Sequence, residues 1–107
     1  PETKNMGYEV YLEMEKAGIP FAIITDHDVL PIEELYLFAI LAHKNGVSHD
    51  AALRAITINA AKNTGIDDVV GSIKEGKDAD IVIQSGELLS LSSKVEAVFV
   101  NGKQMNI

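Results

Sequence analysis

Phe21-Ala22-Ile23-Ile24-Thr25-Asp26-His27-Asp28 is a short apolar run that ends abruptly in a polar turn. The run has no polar–apolar alternation, so it predicts a strand buried on both faces, as in a parallel sheet. Upstream, Val10, Met14 and Ala17 recur at helical spacing and Tyr11 widens their stripe, while Glu9, Glu13 and Lys16 fall off it. That pattern predicts an amphipathic helix, entered from a turn-rich Pro1-Glu2-Thr3-Lys4-Asn5 and stopped by Gly18, a residue that takes the left-handed cap conformation without a Cβ penalty. Helix, short loop and buried strand make half of a βα repeat.

Downstream, Pro31 suits a first helical turn, and Glu33 and Glu34 complement its dipole. The helix predicted from Ile32 to about Lys44 is apolar nearly all round, so it expects cover on more than one side. Asn45-Gly46 closes it. Ser48 is a good N-cap for the next helix, with Asp50 in its first turn and Ala52, Leu53 and Ile56 facing inward. Thr57-Ile58-Asn59 breaks that helix, and Asn59 can cap a further short one through Lys62, ended by Gly65. Beyond Gly65 the period changes. Gly71-Ser72-Ile73, Gly76-Lys77-Asp78-Ala79 and Asp80-Ile81-Val82-Ile83-Gln84 read as strand, turn and strand. Val95, Ala97 and Phe99 predict one face of another strand, with Glu96 opposite and Val98 and Val100 half-buried. Asn101-Gly102 then predicts a two-residue hairpin into Lys103-Gln104-Met105-Asn106-Ile107. The fold class expected is α/β followed by antiparallel β, divided at about residues 1–65 and 66–107.

A chain of 107 residues is one domain's worth of material or part of a larger domain. Apolar residues make up 47% and charged residues 23%, an ordinary globular balance. The longest apolar run, Leu35 to Ala42, is far short of the ~20 residues that cross a bilayer. No basic start, apolar centre and small-residue cleavage site occur together, so no export signal is visible; the composition suits a soluble, cytoplasmic-type globular chain with no membrane partner. The formal charge of −7 argues against a nucleic-acid partner. With no Cys, disulfide, thiolate-metal and thiol-nucleophile chemistry are excluded.

Asp26 is the most informative polar residue, because it follows the carboxyl end of the expected strand, where α/β sheets and barrels place reacting groups. An Asp there can ligate a metal, orient water and accept a proton; it can equally be a turn residue bonding the next backbone amides. In extended chain, Asp26 and Asp28 share a face and His27 points away. His43 and His49 flank a helix–helix connection, where exposure to solvent or interaction with a helix end is the default and a structural role is expected. Asp78 and Asp80 lack the further oxygen ligands of a calcium loop and read as turn residues. Gly71, Gly76 and Lys77 are spaced like a phosphate loop, but Asp78 stands where Ser or Thr is required and strands follow, so that reading fails.

Together these stretches resemble the carboxyl-terminal end of the metal-dependent amidohydrolase superfamily, in its imidazolonepropionase-like and related branches. The resemblance rests on the run ending in Thr25-Asp26-His27 with its Ala17-Gly18-Ile19-Pro20 approach. It rests also on Ala55-Ile56-Thr57-Ile58-Asn59-Ala60-Ala61-Lys62 continuing to Gly65-Ile66, and on Gly71-Ser72-Ile73-Lys74-Glu75-Gly76-Lys77-Asp78-Ala79-Asp80-Ile81-Val82-Ile83. It implies the last βα unit of a (β/α)8 barrel followed by the carboxyl-terminal strands of a flanking β-sandwich. It implies a divalent metal, zinc foremost, and a small-molecule substrate whose non-peptide C–N bond, as in a cyclic amide, is hydrolysed. By the resemblance, Asp26 is the metal ligand and proton carrier, with His27 and Asp28 as neighbouring candidates on the substrate side. Asp28 stands where this branch usually has Pro. The His-x-His pair and other ligands of the family are missing here, and a barrel takes ~250 residues. The chain by itself is therefore expected to be inactive and to hold no metal tightly.

Two further readings stay open. One is a stand-alone, non-enzymatic α/β interaction module; the other is a superfamily member acting on amino-acid or dipeptide amides. The apolar helix also predicts a homo-oligomer formed through Leu35, Leu37, Phe38, Ile40 or Leu41, since uncovered apolar surface marks association sites.

Overall fold

The computed structural model describes residues 2–24 and 34–106, with side chains in the first helix from Tyr8 onward. Among the described residues, four helices precede a small sheet: α1 (Glu2–Lys16), α2 (Leu35–Lys44), α3 (His49–Ala55), α4 (Ile58–Thr64), then β1 (Ile81–Gln84), β2 (Val95–Val100) and β3 (Lys103–Gln104). Helix α1 already includes Glu2 to Asn5, which composition alone had assigned to a turn. Helix α2 begins at Leu35 among the described residues; the expected first turn at Pro31 to Glu33 lies outside them.

Helix ends follow the glycines. At the end of α2, Gly46 takes φ +112°, its N–H donates to His43 O, and Val47 N–H donates to Ala42 O. These paired bonds satisfy the last carbonyls of the helix, and the residue after the glycine, Val47, turns into the core at 1% exposure. Gly18 and Gly65 close α1 and α4 with the same pair of bonds. Ser48 caps α3 as expected, its Oγ accepting from Ala51 N–H at 3.1 Å. Asn59, by contrast, is not a cap. It lies inside α4, whose N-cap is Thr57, and its side chain bonds outside the helix.

The core gathers Phe21, Ile23, Ala39, Ile40, Ala42, Val47, Ala52, Ala55 and Leu89. Ala39, Ala42, Ala52 and Ala55 have no exposed surface; such small side chains let helix backbones approach closely, and dense packing of this kind stabilises by dispersion as well as by area removed from water. The expected cover on several sides of α2 is only partial: Ala39, Ile40 and Ala42 are buried and Leu37 stands open.

Two expected strands are absent among the described residues. Phe21 to Ile24 belongs to no ladder. Phe21 and Ile23 are buried, but Ile24 is 70% exposed, so the run is covered on one side rather than both. A strand needs a neighbouring strand to bond, and the ties of this run among the described residues go to the helices α1, α3 and α4. Gly71-Ser72-Ile73 is not a strand either. Gly71 lies so close to α4 that a Cβ would come within 2.8 Å of Ala61 Cβ and 3.2 Å of Ile58 Cα. The chain wraps against the helix there instead of extending, and Ile73 is left 86% exposed.

The sheet is antiparallel in the order β1-β2-β3. Ile81 pairs with Phe99, Ile83 with Ala97 and Gln84 with Val95, a register shift that leaves Glu96 unmatched as a bulge. Asn101 (φ +52°) and Gly102 (φ +77°) form the expected hairpin turn, and Phe99 and Val100 pair with Gln104 and Lys103. The one-faced burial expected of β2 is not seen: Ala97, Val98 and Phe99 are all half-buried, while Val95 and Val100 are exposed.

Candidate functional site

Asp26, His27 and Asp28 lie outside the described residues. The chain that leads to them is held in three ways. Tyr11 stacks on Phe21 with ring centroids 5.0 Å apart and planes within 12°. Asn59 Nδ2 donates to Phe21 O at 3.0 Å, and Ile23 N–H donates to Ala55 O at 3.1 Å. Backbone groups that a sheet would pair are thus partly satisfied by α3 and α4. Burial raises the Tyr11 hydroxyl above its ordinary pKa, with neighbouring Tyr8 adding to the rise, so both remain neutral hydrogen-bonding groups over the physiological range.

The other polar residues singled out by the sequence have structural partners. His43 Nδ1–H donates to Val47 O at 2.8 Å and closes the α2–α3 turn. His49 Nε2–H donates to Leu88 O at 2.9 Å, and the two rings meet edge to face at 5.4 Å. Asp80 Oδ1 accepts from Asn101 N–H at 2.9 Å, and Asp78 N–H donates to Val69 O. Lys77 Nζ donates to Ser72 Oγ at 2.8 Å, an internal tie rather than a free cation. Residues of the Gly71–Ile83 stretch therefore fold the chain onto α4 and the hairpin.

Sequence reasoning missed Tyr36. Its hydroxyl donates to Gln84 Oε1 at 3.1 Å and accepts from Leu89 N–H at 2.6 Å, joining α2 to the sheet and its following loop. The available signal was a hydroxyl-bearing ring in an otherwise apolar helix, a group that needs a partner once buried. Tyr36 sits at one side of an open cleft of about 1140 Å³ between α3, α4, the loop of residues 70–80 and β1. Its walls are chiefly apolar, including Leu53, Ile56, Ile66, Val70 and Val82.

Among the described residues, no three His, Asp or Glu side chains converge on one point. They do not fit a catalytic metal, which takes three or four ligands from separate elements.

The amidohydrolase family model matches residues 4–105. The chain belongs to the amidohydrolase family. Its fold is similar to a crystal structure of an amidohydrolase from Thermotoga maritima, with a TM-score of 0.85 and 35% identity over 92% of this chain and 26% of that one. Among curated relatives, it is 42% identical to an imidazolonepropionase of Thermoplasma volcanium over 63% of this chain and 17% of the relative. It is 32% identical to an imidazolonepropionase of Flavobacterium psychrophilum over 85% of this chain and 25% of the relative. The chain spans a quarter or less of the length of these two relatives. The resemblance read from the three sequence stretches is thus borne out, and members of this family are generally metal-dependent.

Proposed function

We propose that this chain is the carboxyl-terminal part of a metal-dependent amidohydrolase that hydrolyses a non-peptide C–N bond, in a cyclic amide such as an imidazolone ring. The observation that carries the reading is the family match across residues 4–105, made with relatives that the chain covers only in part. In this reading residues 1–65 belong to a (β/α)8 barrel, with Phe21 to Ile24 as its last strand, and residues 66–107 to a flanking β-sandwich. Exposed Ile24 on one element and exposed Val82, Ile83, Val95 and Val100 on the other are what barrel and sandwich neighbours would cover.

Asp26 is the residue of this chain assigned to the metal, zinc foremost, and to carrying a proton; His27 and Asp28 are assigned to the substrate side. One carboxylate does not hold a catalytic metal, so the 107-residue chain alone is inactive. Any homo-oligomer contact through α2 falls on exposed Leu37 rather than on Ile40, which is 1% exposed.

The test is a comparison of the intact protein with this chain. The intact protein should hold zinc and open a cyclic amide, and Asp26→Asn should abolish turnover. Stoichiometric zinc binding and turnover by the isolated chain would overturn the reading.

A further inference from the structure

The chain contains two Asn-Gly dipeptides, Asn45-Gly46 and Asn101-Gly102. Asparagine is among the thermolabile residues, and before glycine its side-chain amide is open to attack by the next backbone nitrogen. Both asparagines are exposed. In both, the glycine N–H is engaged, Gly46 N–H with His43 O at 3.1 Å and Gly102 N–H with Ala79 O at 3.0 Å. The nucleophile is therefore freed only by local opening.

The two sites differ in everything else. Asn45 Nδ2 donates to Leu41 O at 2.7 Å, which holds the reacting amide over the end of α2. Val47, two residues on, is 1% exposed and anchors that turn in the core. Asn101 has no side-chain hydrogen bond among the described residues. It leads into β3, a strand of two residues, both exposed. Segments with few buried contacts open at the low end of the free-energy range, so the hairpin opens before the helix turn does.

We propose that Asn101 is a site of spontaneous deamidation and isoaspartate formation, whereas Asn45 is protected. The Gly102 nitrogen bonds to Asn101 Cγ and loses its proton, and ammonia leaves to give a succinimide. Water then adds to one of the two ring carbonyl carbons and breaks its bond to the Gly102 nitrogen, which takes up a proton; attack at Cγ yields Asp and attack at the main-chain carbon yields isoaspartate. Asp at 101 puts a carboxylate beside Asp80, which already accepts from the backbone N–H of residue 101. Isoaspartate lengthens the backbone within a two-residue turn, so the Val100–Lys103 and Phe99–Gln104 pairing is lost. Loss of β3 bares the edge of β2, which carries Phe99 and Val100, and open apolar edges template association.

The experiment ages the folded chain in warm, mildly alkaline buffer beside the same chain in denaturant, with peptide mapping of both sites. In denaturant the two dipeptides should convert at similar rates. In the folded chain Asn101 should convert at least about tenfold faster than Asn45. Asn101→Ser should remove the fast phase without changing the rate at Asn45. Conversion of Asn45 as fast as Asn101, or no conversion at Asn101 while the denatured chain converts at both, would overturn the assignment.

Discussion

Ile40 and Val82 are both aliphatic residues within regular elements, yet Ile40 is 1% exposed and Val82 52%. The contrast extends to the regions they represent. Among the described residues, every member of the buried core except Leu89 precedes Gly65, while Ile73, Val82, Ile83, Leu91, Val95 and Val100 all stand open beyond it. The helical part builds its own core from apolar stripes and closely packed alanines. The sheet carries two largely apolar strands, β1 and β2, but its strands lie in one layer and a single layer cannot bury both of its faces. Apolar sequence therefore does not imply a core; a second layer is also needed.

The sharpest way to break this comparison is a pair of truncations. Ile40→Ala removes side-chain volume from a closed core and should cost about 2–5 kcal/mol. Val82→Ala, on an open strand, should cost about 0.5 kcal/mol or less. Denaturant unfolding of both variants checks this, and equal losses would mean that the sheet is as well packed as the helices. If an intact amidohydrolase covers the sheet as proposed, the cost at Val82 should rise there, which makes the same pair a reporter of such a layer.

The two regions are also joined, and the joint has its own magnitude. Tyr36→Phe keeps the ring but removes the hydroxyl that accepts from Leu89 N–H and donates to Gln84. Leu89 is 6% exposed with φ +60°, so its amide loses a partner next to the core. An unsatisfied donor there should cost about 1–3 kcal/mol. Faster hydrogen exchange at the Leu89 amide, with the α3 amides little changed, would place the loss at the joint rather than in the helical core.

Local features were legible in the sequence and long-range ones were not. Gly18, Gly46 and Gly65 end their helices and Ser48 caps α3 because these signals act within a few residues. The Asn101-Gly102 hairpin was readable for the same reason. Asn59 has the composition of a cap, but its amide serves Phe21 O, 38 residues away in sequence. Gly71 looked like the start of a strand, but the close approach of Ala61 and Ile58 bends the chain round α4. Tyr36 and its two partners lie far apart in sequence, and nothing local marks them as a set. The family itself was legible from three motifs, although the described residues of these motifs mostly pack and turn the chain. Asp26, the residue assigned to chemistry, lies outside the described residues.

The smallest effect concerns charge at the seam between α1 and α3. Glu15 Oε1 accepts from Ser48 N–H at 2.9 Å, and hydrogen bonds from the Ser48 side chain and backbone hold the Glu15 carboxyl below its ordinary pKa. In the unfolded chain the group returns to its ordinary value of 4.5. Its stabilising contribution is thus fully present above that value and fades as pH falls through the lower, folded-state pKa, because the unfolded chain then binds the proton more readily. The carboxylate is exposed to solvent, so the contribution should stay below about 1 kcal/mol. Glu15→Gln should remove this part of the acid-side decline, lowering stability at neutral pH by no more than that amount and leaving it unchanged at low pH. Unfolding curves measured across the acid range read it directly, and a variant whose acid limb matches the unmodified chain would show that Glu15 contributes nothing across the seam.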